Sequence, residues 1–155
     1  MIHVLSRPRL LEAVKQNPNK LNVLLISGEW DRTDESIIEI KALAARHEHL
    51  IFDDITFAIP SGVLPSQSEI AKGLAFSTDP NEDIYVACRA GISRSSAMAY
   101  LIRCKYCKPD IAAQMWNIEI HDPNSKVVKI GAKLLNDRNI WIAYKRWDKA
   151  KTWMR

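Results

Sequence analysis

Apolar residues gather in short continuous runs along the first half of the chain, with stretches of helical periodicity between them. Leu21-Asn22-Val23-Leu24-Leu25-Ile26 is almost wholly apolar, is followed by Gly28, and predicts a buried strand. Leu50-Ile51-Phe52 predicts a second, shorter strand, and Ile84-Tyr85-Val86-Ala87 a third. Between these runs the pattern turns helical. Leu10 to Val14 predicts a short helix after Pro8. Thr33, followed by Asp34 and Glu35, predicts the N-cap of a helix running to about Arg46. His47-Glu48-His49 then reads as the solvated end of that helix. Ser66-Gln67-Ser68-Glu69 is a capping-box pattern that opens a helix toward Phe76. Ser96-Ala97-Met98-Ala99-Tyr100-Leu101-Ile102 predicts another helix, and helices fill most of the chain beyond it. Strands alternating with helices specify an α/β fold, a central and mostly parallel sheet of about four or five strands flanked by helices on both faces. No repeat, low-complexity tract or long linker interrupts the pattern, so residues 1–155 read as a single domain.

In sheets of this kind ligands bind beyond the carboxyl ends of the strands, and the third strand ends on the most informative stretch of the chain. Cys88-Arg89-Ala90-Gly91-Ile92-Ser93-Arg94-Ser95 places a cysteine and an arginine at the two ends of a short loop, with five residues between them. A strand, a tight loop and a helix start make an anion site, because the loop N–H groups converge at the positive end of the helix dipole. A thiol at the bottom of such a cup is pushed toward thiolate. Arg94 supplies a planar fork matched to two oxygens of a phosphate, and Gly91 permits the close turn. The candidate phosphate-binding set is therefore Arg89, Ala90, Gly91, Ile92, Ser93 and Arg94. The alternative is a buried structural cysteine beside a surface arginine.

Val86 to Ser95, with Ala99-Tyr100-Leu101-Ile102 behind it, resembles the signature of the cysteine-dependent protein tyrosine phosphatases. The Ser-Arg-Ser ending and the following Ala-Tyr-Leu are most similar to the dual-specificity branch. A looser similarity over about Leu50 to Leu135, including Phe52-Asp53-Asp54-Ile55 and Pro123-Asn124, is to small bacterial predicted tyrosine phosphatases. The resemblance implies a dual-specificity phosphatase-like fold and hydrolysis of phosphomonoesters through a phosphocysteine intermediate. It implies Cys88 as nucleophile, Arg94 as phosphate clamp, and Ser95 as the hydrogen-bond donor to the sulfur as it leaves. One position departs from the pattern: the family usually has His before the cysteine, and here Ala87 stands there. That departure keeps a second function class open, a phosphate-binding pseudophosphatase module with little turnover.

A thiolate attacking a phosphomonoester needs a partner that protonates the departing oxygen. Asp53 and Asp54 end a short strand and are expected on the same rim as Cys88. Similarity to the strand-then-Asp pattern of the family favours Asp54, and Asp53 remains the alternative.

Composition adds bounds. The chain has 155 residues, enough to bury about two-thirds of its unfolded surface. Its net charge of +4 suits an anionic substrate. Three cysteines do not make a full disulfide framework, and a reducing cytoplasm suits a working thiolate. No apolar stretch approaches a membrane span and the N-terminal residues show no signal-peptide core, so a cytoplasmic location is expected. Cys104-Lys105-Tyr106-Cys107 has no matching histidine pair, so neither a metal nor any other cofactor is expected. Cys104 reads as a core residue, about 15 Å from the loop along a straight helix. Residues 137–155 predict a basic, aromatic C-terminal helix. Ile140, Ala143, Tyr144 and Trp147 would pack on the domain while Lys145, Arg146 and Lys149 point elsewhere. Docking of an acidic protein, RNA or an anionic membrane surface is the alternative use of that helix. The expected partner is a phosphorylated protein or peptide substrate; nucleic acid is not expected, and a monomer is.

Overall fold

The computed structural model describes residues 1–154 and orders them as β1 (Ile2–Ser6), α1 (Arg7–Gln16), β2 (Asn22–Ser27), α2 (Glu35–Leu43), β3 (Arg46–Ile51), α3 (Gln67–Phe76), β4 (Ile84–Cys88), α4 (Arg94–Cys104), α5 (Pro109–Ala112), α6 (Ser125–Leu134) and α7 (Arg138–Met154). The four strands form one all-parallel sheet in the order β1-β4-β2-β3. The expected fold class therefore holds, at four strands. The strand order puts β4 in the interior, between β1 and β2, with Ser6 and Leu25 in register beside Cys88 and Ala87.

Alternation along the two central strands divides the core into two layers. Val23, Leu25 and Ala87 face α1 and α2, where they meet Leu10, Val14, Ile37 and Ile40. Leu24, Ile26, Val86 and Cys88 face the other way, into a larger cluster with Phe52, Leu74, Met98, Leu101 and Val128. Residues burying both faces of a parallel sheet read as continuous apolar runs, which is why the inner strands were legible.

The edges were not. β1 has no fully buried residue, so its IHVLS sequence carries no apolar run, and it was not expected as a strand. The helix expected to run to Arg46 stops at Leu43, and Asp34 rather than Thr33 caps it, its carboxylate accepting from the Ser36 N–H at 3.0 Å. His47-Glu48-His49, expected as a helix end, lies inside β3. The polar side chains of that edge strand find partners far along the chain. Arg46 donates to the Phe76 carbonyl and to Glu82, both at 2.8 Å, and the His49 ring bonds the Ser27 hydroxyl at 2.6 Å. Ser66 caps α3 as expected, but Glu69 of the capping box turns instead to the Ile51 N–H, at 2.7 Å. The C-terminal helix α7 packs on α5 and α6, with Ile140 and Tyr144 buried and Lys145, Arg146 and Lys149 exposed. No described helix is long and apolar enough to cross a membrane.

Candidate active site

β4 carries Cys88 to the carboxyl edge of the sheet, and the chain turns at once into the loop that leads to α4. Gly91 makes the turn possible. Its φ is +72°, and a Cβ there would stand 2.6 Å from the Ser6 nitrogen. The loop carbonyls are tied to the surrounding frame. The Arg89 carbonyl accepts from the Arg7 N–H at 3.3 Å, Ile92 from Asp122 at 3.1 Å, and Ser93 from Asn124 at 3.2 Å. The Ser96 hydroxyl also donates to the Ile92 and Ser93 carbonyls, at 2.6 and 3.0 Å. With these carbonyls held by the frame, loop amides are free to face inward, and those of Ser95 and Gly91 reach the cysteine sulfur.

Cys88 is only 2% exposed. Burial alone would raise its pKa, yet the thiol is held below its ordinary value. The hydrogen bond from Ser95, the Ser95 and Gly91 N–H groups and the positive charge of Arg94 together outweigh desolvation. The Ser95 hydroxyl lies 3.1 Å from the sulfur. Arg94, in the first turn of α4, donates through one terminal nitrogen to the Phe52 carbonyl at 3.0 Å. Its Nε is buried and has no partner. An orphaned donor of this kind costs roughly 1–3 kcal/mol, and an oxyanion in the loop is the group that would meet it.

The two aspartates separate clearly. Asp53 takes the Val63 N–H on its carboxylate at 2.7 Å, while its own N–H donates to the Val63 carbonyl at 2.8 Å. It braces the loop between β3 and α3. Asp54 is exposed on the rim and faces the Cys88 loop, where its Oδ1 accepts from the Ser93 hydroxyl at 2.7 Å and from the Asn124 amide at 2.9 Å. A cleft of about 490 Å³ opens beside it, lined by Phe57, Asp122, Ser125 and Tyr144 among others.

The structure thus brings Cys88, Arg94, Ser95 and Asp54 to one edge, around the Arg89–Arg94 loop. Arg89, Ala90 and Ile92 are exposed on its outer surface and Gly91 is buried beneath it. Ala87 lies on the opposite face of the sheet from Cys88, fully buried among the side chains of α1 and α2.

Two residues of this region were given no role from sequence. Asn124, 4% exposed, caps α6 by accepting from the Val127 N–H at 3.1 Å, while its amide donates to Asp54 and to the Ile55 carbonyl. A Pro-Asn-Ser string before an apolar-periodic run is an N-cap signal, so its place was findable though its second set of bonds was not. Arg7 is buried at the start of α1, paired with Asp31, whose carboxyl stays below its usual value because that pairing outweighs its burial. Nothing local in the sequence pairs those two.

No protein-family model matches this chain, and neither does any curated protein. Its backbone nevertheless superposes on solved structures. PTPMT1 in complex with PI(5)P matches with a TM-score of 0.55 and 16% identity, over 97% of this chain and 94% of that one. Tk-PTP in the active form matches with a TM-score of 0.57 and 12% identity, over 86% and 88%. PTPMT1 in a second structure matches with a TM-score of 0.52 and 16% identity, over 96% and 95%. This is the cysteine-dependent protein tyrosine phosphatase fold. In this chain the strand-loop-helix at Cys88 lies at the carboxyl edge of the sheet.

Proposed function

We propose that this chain is a protein tyrosine or dual-specificity phosphatase, hydrolysing phosphomonoesters through a phosphocysteine intermediate. The observation that carries the reading is the pairing, in one loop, of a buried thiol held toward thiolate with an arginine whose buried Nε lacks a partner. A phosphate in the cup gives that Nε an acceptor and sets its phosphorus against the thiolate. Cys88 attacks phosphorus in line, the bond to the leaving oxygen breaks, and the thiolate becomes a phosphothioester. Arg94 and the loop amides of residues 89–94 hold the equatorial oxygens, where charge must be stabilised. Asp54 gives its proton to the leaving oxygen. Its Oδ1 already accepts two hydrogen bonds, so Oδ2 is the oxygen that carries the proton. In the second step Asp54 takes a proton from water, the water oxygen attacks phosphorus, and the Ser95 hydroxyl supports the departing thiolate.

The substrate favoured is a phosphorylated protein or peptide in the cytoplasm. PI(5)P occupies one of the structural neighbours, but the loop here has only Arg89 as a cation between Cys88 and Arg94, which suits one phosphate rather than several. The pseudophosphatase alternative rests on Ala87. Because that side chain lies across the sheet from the loop, its identity leaves the amides, Ser95 and Arg94 in place.

Hydrolysis of a generic aryl phosphate, by the native protein and by Cys88→Ser, tests the reading. Turnover is expected only in the native protein. A lowered thiol pKa means that thiolate persists below the ordinary thiol range, so activity is expected to survive into mildly acidic pH and to fall only as the thiolate is protonated. Equal rates in the two proteins, with phosphate or vanadate still bound, would establish the binding module instead.

A further inference from the structure

The basic, aromatic C-terminal helix has no part in the chemistry above, yet one of its lysines is unlike the rest. Lys145 and Lys149 are exposed, whereas the Lys151 side chain is 7% exposed. Its Nζ donates to the His121 carbonyl, lies 3.6 Å from the Asp122 carboxylate and stands 5.3 Å over the Trp147 ring. An ammonium is buried only where its partners repay its desolvation. Trp147 belongs to α7 itself, and the two oxygen partners, on His121 and Asp122, lie in one short segment, His121-Asp122-Pro123-Asn124.

That segment is the frame of the candidate site. The Asp122 N–H bonds the Ile92 carbonyl at 3.1 Å and the Asn124 N–H bonds the Ser93 carbonyl at 3.2 Å, so two successive loop carbonyls hang from it. The Asn124 side chain then reaches across to Asp54 at 2.9 Å and to the Ile55 carbonyl at 3.2 Å. A single bracket holds both the phosphate loop and the acid. Lys151 is the one side chain of α7 that grips its backbone. His121 is fixed alongside, its ring accepting from the Asn117 N–H at 2.9 Å.

We infer that Lys151 is a positioning residue, latching α7 to the 121–124 bracket so that Asn124 presents Asp54 to the leaving oxygen. The inference rests on the phosphatase reading and assigns to the C-terminal helix the alignment of the acid rather than the docking of a partner. Lys151 touches neither the substrate nor the reacting atoms. Its effect reaches them through Asn124.

Acid catalysis matters most when the leaving oxygen is basic, so the latch is tested by comparing two esters. Phosphotyrosine needs the proton more than a nitrophenyl phosphate does. Lys151→Met is expected to lower kcat on phosphotyrosine by about tenfold and on the nitrophenyl ester by less than about twofold, a fraction of the full contribution of a general acid. Lys151→Arg, which keeps a cationic donor, is expected to restore the ratio of the two rates. That ratio does not depend on how much of the protein is folded, so a merely structural lysine would lower both rates alike, and that result overturns the inference. In an Asn124→Ala background, Lys151→Met is expected to leave the ratio unchanged, and a further fall there would also overturn it. Should Lys151→Met not fold, Lys151→Gln is read by the same ratio. Absence of any Cys88-dependent turnover in the native protein removes the phosphatase reading, and the inference with it, by a distinct result.

Discussion

Asp53 and Asp54 are neighbours in sequence with the same side chain, and what distinguishes them is where their hydrogen bonds go. Asp53 is consumed by the Val63 N–H, a bond within its own loop. Asp54 is aimed by Ser93 and Asn124, which lie 39 and 70 positions away in the chain. The family pattern favoured Asp54, but only these long-range bonds separate brace from acid. Asp54→Ala is therefore expected to lower kcat on phosphotyrosine by about 10²–10⁴-fold. Asp53→Ala is expected to act on the fold, costing about 0.5–1.5 kcal/mol through the lost bond to the exposed Val63 N–H, with a smaller loss of rate. Steady-state kinetics beside chemical denaturation of the two variants check this, and the reverse pattern would exchange their roles. Ser95 and Arg94 differ from these aspartates in being readable locally, since both belong to the same turn as the thiol they serve.

At the scale of elements, the packing of α4 decides the site's rigidity. Tyr100 is fully buried and its hydroxyl donates to the Ile140 carbonyl at 2.8 Å, joining α4 to α7. Its ring lies 4.2 Å from that of Trp116, whose own N–H bonds the Ser96 carbonyl at 3.0 Å. Tyr100→Phe keeps the ring and removes the bond from its hydroxyl to the Ile140 carbonyl, so a loss of about 0.5–1.5 kcal/mol is expected, read as a lower melting temperature. An unchanged melting temperature would show that this bond is not needed. Elements were legible where burial made their pattern self-contained: β2 and β4 as apolar runs, and α4 as the helix after the glycine turn. β1 was missed and β3 was found only at its Leu50-Ile51 end, because these edge strands leave most of their side chains only partly buried. Their polar residues are satisfied by partners such as Phe76, Glu82 and Ser27 that no local pattern reveals.

For the molecule as a whole, the all-parallel order gathers the ends of β1, β2, β3 and β4 at one edge, and the price is an edge strand with a half-buried histidine. Burial, and then the charges of Lys41 and Lys72, lower the His49 pKa from 6.5 to about 4. The unfolded chain therefore takes up a proton near pH 6.5 that the folded protein refuses until about pH 4. The resulting stability is complete above pH 6.5 and is lost as the pH falls toward 4. After discounting for its half-exposed ring, the loss is of order 1–2 kcal/mol. His49→Gln, which can still bond Ser27, is expected to flatten denaturation midpoints across that window, and an unaltered slope would assign the acid sensitivity elsewhere. The same convergence of strand ends gives the phosphatase reading its most direct test. Protein quenched during turnover of an aryl phosphate, digested and weighed, is expected to carry one acid-labile phosphoryl group on the peptide containing Cys88, and none in Cys88→Ser. Turnover with the phosphoryl group on another residue, or turnover retained in Cys88→Ser, would contradict the account.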